Sequence, residues 1–323
     1  MIRLSDIRKA FDILRSDGVV PLLRKIPHHF HWRTVKTLEP AIKWNFERKY
    51  GPGLDVMDAE WDNLILLDAC RYDYFKQYTS FEGNLSRVVS KGRGSWEFIR
   101  ENYVGKELHD TVYVTANPHA QRIGQDVFYT VETVLDKWDS ELGTVPPAAM
   151  TEAAIEAQEK YPDKRLIVHY MQPHTPHLGE IAQNLETNYV QNQYAQPSDS
   201  SGSEKQTEEK KIFEVYKDGQ ITTAELRESY LETLSIVEPH VKELVEELRG
   251  KTVISSDHGE NLGETQFGMR LTGHGPNSKE VRFVPWMELP YEERKTVTEE
   301  SPIGFQYLED EYVEDRLADL GYM

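Results

Sequence analysis

The segment that decides the fold is 251-KTVISSDHGENLGE-264, a short apolar run that ends in polar and small residues. Lys251–Ser256 has the continuous, β-branched character that is typical of a strand buried on both faces of a parallel sheet. Asp257 and His258 follow directly, and Gly259 comes next. Ligands of open α/β sheets bind beyond the carboxyl ends of the strands. This stretch therefore predicts a parallel sheet with a ligand site at one edge.

Three other short apolar runs have the same character: Asn63–Leu67, Thr111–Thr115 and Leu166–Met171. Helical stretches separate the runs, most clearly Thr223–Arg249, where apolar side chains recur with helical spacing and Gly250 marks the end. Such alternation predicts an α/β, doubly wound, mainly parallel sheet with helices on both faces.

Two regions depart from this pattern. Residues 1–55 are rich in Lys and Arg, although the chain as a whole carries a net charge of −18. We expect a basic helical N-terminal arm at 1–55 and a catalytic domain at 56–323. Residues 181–222 are dominated by Gln, Asn, Ser and charged residues, which predicts a flexible insertion suited to a lid. The arm either packs on the main domain or contacts a membrane surface.

The composition also argues against several classes of function. An acidic balance argues against a nucleic-acid partner, because neutralising phosphates requires a basic surface. A single cysteine, Cys70, excludes a disulfide framework and a cysteine-rich zinc module. Neither a signal peptide nor an apolar run of membrane-spanning length is recognisable. We therefore expect a cytoplasmic location, with peripheral contact at the inner membrane face through the arm as the alternative.

Side chains that bind metals follow several of the predicted strands. Asp68 comes after the first run, His169 and His174 belong to or follow the third, and Asp257 with His258 follows the last. Carboxylates and imidazoles together suit Zn²⁺ or Mn²⁺ better than Ca²⁺. A single aspartate after a strand is as often the N-cap of the next helix, so Asp68 alone leaves both interpretations open. Two successive candidate ligands, Asp257 and His258, favour the metal.

Four segments occur in an order that resembles a known family: 66-LLDACRYD-73, 168-VHYMQPHTPH-177, 253-VISSDHGENLGE-264 and 271-LTGHGPNS-278. The family is the alkaline phosphatase/sulfatase superfamily. Within it, the sulfatase-like branch that includes phosphoethanolamine and lipoteichoic-acid transferases is the most similar. The resemblance implies that Asp68, Asp257 and His258 hold a divalent metal, most simply Zn²⁺ or Mn²⁺. It places His274 on a second metal or on the ester oxygen, and His174 opposite.

This family also needs a nucleophile at a helix N-terminus. The segment 91-KGRGSWEFIREN-102 offers Ser95, with Ser90 as the second choice. An ordinary helix N-cap is the alternative interpretation of Ser95. Sulfatases proper carry a C/S-x-P-x-R motif that is oxidised to formylglycine, and this sequence lacks it. The resemblance therefore extends to ester chemistry rather than to the formylglycine mechanism.

The sequence thus predicts a metal-dependent hydrolase or transferase that acts on phosphate or sulfate esters through a serine nucleophile. His174 and His274 would protonate leaving groups, while Arg71, Lys91 and Arg93 are candidate substrate-binding residues. One alternative is a transferase that modifies a glycan or lipid head group at the membrane surface. Another is a non-catalytic descendant of the fold that binds a metal or a glycan.

Overall fold

The structure is a computed structural model that describes residues 28–186, 211–266 and 268–322. Its strands are β1 (Asn63–Leu67), β2 (Asn84–Val89), β3 (Leu108–Thr115), β4 (Phe128–Thr133), β5 (Arg165–Tyr170), β6 (Thr252–Ser255), β7 (Asn261–Gln266), β8 (Met269–Gly273) and β9 (Phe283–Glu288). Its labelled helices are α1 (His28–Tyr50), α2 (Tyr72–Tyr78), α3 (Ser95–Asn102), α4 (Pro147–Lys160), α5 (Ile212–Lys217), α6 (Thr223–Glu247), α7 (Lys279–Arg282) and α8 (Asp310–Asp319).

Seven strands form the central sheet, in the order β2-β9-β6-β1-β5-β3-β4. The neighbours from β6 to β4 pair in parallel, whereas β9 runs antiparallel to both β6 and β2. Strands β7 and β8 form a separate antiparallel pair. The predicted mainly parallel α/β fold is confirmed, and β9 adds an antiparallel strand that we did not predict.

The sheet is covered by helices on both faces. Along β1, Ile65 and Leu67 pack into a core cluster that includes residues of α4 and α6. Leu64 and Leu66 point the other way, into a cluster that includes residues of α3. All four side chains are at most 1% exposed. Each contributes about 1.5–3 kcal/mol through burial, which explains why the run is continuously apolar.

Helix α6 begins at a capping box. The Thr222 hydroxyl accepts a hydrogen bond from the backbone N–H of Glu225, and the Glu225 carboxylate accepts one from the backbone N–H of Thr222. The helix continues through Pro239 to Glu247. The predicted stop, Gly250, has a φ of 89°. A Cβ at this position would also lie 2.5 Å from the Asp62 carboxylate, so conformation and space both require glycine.

The described part of the arm is α1, which packs on the domain. Val35 and Ile42 are buried against Met269 and Leu271 of the β7–β8 pair. Residues 1–27 of the predicted arm lie outside the described residues. None of the helices in the described ranges combines the length and apolarity that crossing a membrane requires.

The predicted insertion at 181–222 is described only at its two ends, because 187–210 lie outside the described residues. Beyond that gap, α5 buries Ile212, Val215 and Tyr216 in a cluster with Tyr230 and Leu262. This end of the segment therefore packs on α6 and β7 as part of the folded domain.

Candidate active site

The carboxyl ends of β1, β5 and β6 bring four ligand-type side chains together. Nε2 of His258 lies 3.3 Å from Asp68 Oδ1 and 3.4 Å from Asp257 Oδ2. Nε2 of His169 lies 3.5 Å from the same Asp257 oxygen. All four side chains are completely buried. The sequence-predicted trio of Asp68, Asp257 and His258 therefore meets at one point, and His169 joins it from β5.

The backbone of the turn after Asp68 is strained. Ala69 has a φ of 61°, in the left-handed region that non-glycine residues seldom adopt. In this conformation the Ala69 N–H donates to Asp257 Oδ1 over 3.2 Å, and the carbonyl of Ala69 accepts from the Tyr230 hydroxyl at 2.9 Å. The turn thus fixes the two aspartates relative to each other, at the cost of a strained residue next to the site.

Three polar atoms of this cluster lack a hydrogen-bond partner within the described ranges: Asp68 Oδ1, Asp257 Oδ2 and His169 Nε2. The ligand atoms of these residues all lie within 4.8 Å of one another. Two buried carboxylates this close are stable only with compensating positive charge, because burial of unpaired anions is costly. Oxygen and imidazole donors converging in this way fit a divalent cation.

His258 supplies part of that charge in the cation-free protein. Burial alone would lower the pKa of its imidazole, but the carboxylates of Asp257 and Asp68 raise it to about 10. Its Nδ1 is 2.8 Å from the Gly259 carbonyl, so Nδ1 donates there and Nε2 faces the carboxylates. That backbone contact leaves Nε2 available as a metal ligand once its proton is displaced.

Ser95 is the first residue of α3, and the N-cap is Gly94. The Ser95 hydroxyl donates to Asp68 Oδ2 over 3.1 Å and lies 3.4 Å from His258 Nε2. The N-cap interpretation of Ser95 therefore does not apply, because its side chain turns into the cluster. A Cβ at Gly94 would stand 2.8 Å from His274 Nδ1, so glycine allows this close approach.

Ser90, the second choice for the nucleophile, points elsewhere. Its hydroxyl donates to the backbone carbonyl of Asp257 and accepts from the N–H of Gly92. These contacts shape the loop that leads to α3 and leave the Ser90 oxygen engaged with backbone.

The predicted substrate-binding residues Lys91 and Arg93 flank the same loop. Lys91 Nζ contacts Asp55 at 2.6 Å. Arg93 is half-exposed, with its Nε 3.6 Å from Glu97 and its Nη1 donating to the Gly275 carbonyl over 3.3 Å. Lys91 is thus held in an ion pair away from the cluster, whereas Arg93 stays near the loop that carries His274.

Arg71, the third of these residues, is buried in a network of acids. Its guanidinium binds both oxygens of Asp73 and contacts Glu264 at 2.6 Å. It also donates to the Glu260 carbonyl over 3.2 Å. These contacts tie the turn after β1 to the start of β7, so Arg71 supports the backbone that carries Asp68 and Glu260.

A second group of ligand-type side chains consists of His174, Glu260 and His274. The Nε2 atoms of the two histidines are 2.9 Å apart, so one of them carries the shared proton. Burial lowers the pKa of both imidazoles, and it raises the pKa of Glu260 to about 8. Neither carboxylate oxygen of Glu260 has a partner in the part of the chain that the structure describes. This group adjoins the first one and offers a second cation position.

Two residues of the site were missed by the sequence reasoning. Asn117 donates to Asp68 Oδ2 over 3.0 Å, and Tyr322 Oη lies 2.9 Å from Ser95 Oγ. Asn117 follows β3 at the same sheet edge, so inspecting the residues after each strand would have found it. Tyr322 follows α8 and carries no comparable signal. Burial raises its pKa well above the ordinary value, which keeps the phenol neutral.

The sequence profile of the sulfatase family matches residues 69–297. The chain belongs to the sulfatase family. This match extends from the turn after β1 to beyond β9 and includes Ser95, His174, Asp257, His258 and His274. Family membership supports chemistry on sulfate or phosphate esters.

Three solved structures illustrate what this sulfatase-family chain is similar to. Lipooligosaccharide phosphoethanolamine transferase A from Neisseria meningitidis, an integral membrane protein, is 15% identical over 70% of this chain and 47% of that one, with a TM-score of 0.45. The C-terminal periplasmic domain of EptC from Escherichia coli, in complex with zinc, is 12% identical over 70% and 72%, with a TM-score of 0.44. BT1596, a 2-O GAG sulfatase, is 11% identical over 70% and 63%, with a TM-score of 0.45.

The chain therefore spans about half the length of the Neisseria protein. At these identities the likeness concerns the fold. Comparison of this sulfatase-family sequence with curated proteins gave no match.

The expected cytoplasmic location is wrong by this comparison. The similar structures from Escherichia coli and Campylobacter jejuni are described as periplasmic domains, and the Neisseria protein as an integral membrane protein. The expectation rested on the lack of an apolar segment, and that property alone does not determine the compartment of a catalytic domain.

Proposed function

We propose that the chain is a metal-dependent enzyme that cleaves a phosphate or sulfate ester with Ser95 as its nucleophile. The observation that carries this proposal is the position of the Ser95 hydroxyl, 3.1 Å from Asp68 Oδ2 and 3.4 Å from His258 Nε2. A serine hydroxyl needs activation to attack an ester, and a cluster of metal ligands around it provides the means.

Asp68, Asp257 and His258, with His169 beside them, would hold the cation, which we propose to be Zn²⁺ or Mn²⁺. When bound, it would lower the pKa of the Ser95 hydroxyl and offset charge on the ester. The protein itself fixes the nucleophile: Gly94 lets α3 start close to His274, and Asp68 orients the hydroxyl. The first-turn N–H groups of α3 point towards the site and favour an anionic group there.

Chemically, the Ser95 hydroxyl gives its proton to Asp68 Oδ2, the acceptor of its hydrogen bond, while its oxygen forms a bond to phosphorus or sulfur and the bond to the leaving oxygen breaks. The leaving oxygen takes a proton from the His174–His274 pair in its imidazolium form, and the pair keeps the proton that its two Nε2 atoms share. Water or an acceptor hydroxyl then attacks the seryl ester and returns a proton to this histidine pair. Ser95 leaves and takes back its proton from Asp68. Product analysis distinguishes the two acceptors, since water gives the free acid and a hydroxyl gives a new ester.

Replacement of Ser95 by alanine tests the proposal. We expect Ser95→Ala to lose turnover by at least about a thousandfold on whichever of a phosphomonoester, a phosphodiester and a sulfate ester the parent cleaves. Its metal content should equal that of the parent protein, because the other ligands remain.

The matched control is Ser235→Ala on α6, where the hydroxyl donates to the backbone carbonyl of Glu232 at an exposed position. This variant should match the parent in turnover and metal content. Full turnover in Ser95→Ala would exclude Ser95 as the nucleophile. A metal-free parent protein that is inert on all three esters would overturn the enzymatic proposal itself.

A further inference from the structure

The C-terminal turn of α8 positions Tyr322 in the site. The N–H of Gly321 bonds to the Ala318 carbonyl at 3.0 Å, and the N–H of Tyr322 bonds to the Leu317 carbonyl at 2.9 Å. Gly321 has a φ of 79°. Together these features form a Schellman motif, which reverses the chain at a helix end. The reversal directs the side chain of Tyr322 back towards the sheet edge.

The helix that carries Tyr322 is fixed on the domain. Leu317 and Leu320 are buried, and the Tyr312 hydroxyl donates to the Leu135 carbonyl over 2.7 Å. Lys211 Nζ donates to the carbonyls of Ala318 and Asp319 at the end of the helix. Tyr322 is therefore held in a defined position by packing and hydrogen bonds along α8.

The ring of Tyr322 lies between the two groups of ligand-type side chains. It stacks on His174 with a centroid distance of 5.1 Å and an interplanar angle of 15°. His119 meets its edge at 4.7 Å, and His274 at 5.4 Å. The hydroxyl reaches furthest into the site, 2.9 Å from Ser95 Oγ and 3.4 Å from Asp68 Oδ2.

We propose that Tyr322 is a catalytic residue whose hydroxyl donates a hydrogen bond to an oxygen of the group transferred to Ser95. This rests on the function proposed above. When Ser95 Oγ bonds to phosphorus or sulfur, the other oxygens on that atom lie next to Oγ, where the phenol already points. A donor placed in advance at that position stabilises the charge that develops in the transition state. Tyr322 keeps its proton throughout, so no bond to it forms or breaks.

The residue lies outside the segment that the sulfatase profile matches, which ends at residue 297. The structure thus adds to the family site a donor from a separate helix. A competing role is obstruction, in which the ring covers the nucleophile and must leave before the ester binds. The two roles predict opposite effects when Tyr322 is changed.

Tyr322→Phe keeps the ring and its stacking on His174 but removes the hydroxyl. We expect kcat to fall by about 10- to 100-fold, with KM within about threefold and metal content unchanged, since the contact is made in the transition state. The control is Tyr161→Phe, which removes a hydroxyl that donates to Glu132 beyond the end of α4, before β5 begins and away from the site, and should leave kcat unchanged. Tyr322→Ala should be no faster than Tyr322→Phe.

A second measurement is independent of turnover. Vanadate binding to the metal-loaded protein, followed by calorimetry, should be about tenfold weaker in Tyr322→Phe than in the parent or in Tyr161→Phe. Equal kcat and equal vanadate affinity in Tyr322→Phe would overturn the proposal. A faster Tyr322→Ala would overturn it in favour of obstruction. A parent that is inert on every ester refutes the proposed function, and vanadate affinity then still decides whether Tyr322 contacts a bound oxyanion.

Discussion

Two buried aspartates at opposite ends of β1 differ in the charged groups that surround them. Asp62, just before the strand, is paired with a cation: its Oδ2 accepts from Arg294 Nε at 2.8 Å and from two backbone N–H groups. Asp68, just after the strand, accepts from the neutral donors Ser95 and Asn117 and shares one cation, the His258 imidazolium, with a second carboxylate, Asp257. A buried carboxylate with its own cation is structural, whereas two buried carboxylates that share a single imidazolium leave a negative charge that a metal ion can bind.

Exchanging each aspartate for asparagine is the strongest way to test this contrast. Asp68→Asn should lose bound metal and reduce turnover by at least about a thousandfold, because a ligand charge disappears. Its cation-free form should be at least as stable as the cation-free parent, since repulsion with Asp257 is relieved and the His258 imidazolium keeps Asp257 as its partner. Asp62→Asn should retain metal and turnover but lose about 1–2 kcal/mol of stability, because the half-exposed Arg294 loses a charged partner that solvent partly screens.

Metal analysis, ester turnover and urea unfolding of the chelated proteins make the comparison. The division into a structural Asp62 and a metal-binding Asp68 would be wrong if Asp62→Asn lost metal or if the cation-free Asp68→Asn protein were less stable than its parent.

The two ends of the strand should also respond oppositely to pH in the cation-free protein. Burial lowers the pKa of Lys295, beside Asp62, to about 8. The unfolded chain therefore binds a proton between about pH 8 and 10.4 that the folded protein lacks, and stability rises with pH across that window by up to about 3 kcal/mol. His258, with a pKa raised to about 10, makes stability fall as pH rises. Its contribution is complete below about pH 6.5 and is lost as pH rises towards 10.

Urea unfolding of the chelated protein from pH 6 to 10.5 measures both effects. Lys295→Met should remove the rise of stability with pH, and His258→Gln should remove the fall. Lys137 is exposed, so Lys137→Met should change neither. Saturating metal should abolish the fall in the parent, because a coordinated His258 is neutral. A fall of the same size in His258→Gln would assign it to another group.

A smaller effect is expected from Asn117→Ala, which removes a donor from Asp68 Oδ2. The carboxylate loses one neutral contact and keeps its charge, so metal affinity should weaken by about 10- to 100-fold and turnover at saturating metal by less than about tenfold. Metal titration of the variant against the parent measures this. An unchanged affinity would mean that Ser95 alone suffices to orient Asp68.

The sequence predicts the part of the fold that depends on burial. The bounds of β1 agree, and those of β3, β5 and β6 shift by a few residues, because buried parallel strands need continuous apolar runs. The antiparallel β9 was not predicted because Pro285 interrupts its apolar run and because partner strands are not encoded locally. Pairing of this kind is decided by tertiary context.

For the candidate site, the strand-end residues could be named because their position follows from topology. The directions of the side chains could not. Lys91 has the charge of a substrate ligand, yet it pairs with Asp55, which lies far from it in sequence. His169 belongs to β5 itself and still reaches the cluster, because alternate strand residues point to alternate faces. Tyr322 depends on how α8 packs, which no local pattern reveals.

The pairing of β1 has a kinetic consequence. Asn63 on β1 hydrogen-bonds Thr252 on β6, and these residues are 189 positions apart in sequence. Long-range pairing of this kind slows folding, because the entropy of closing the chain is lost before the contacts form. We therefore expect Asp68 to meet Asp257 and His258 only late in folding. Metal capture should accordingly slow unfolding more than it speeds folding, which makes bound metal a marker of the completed native state.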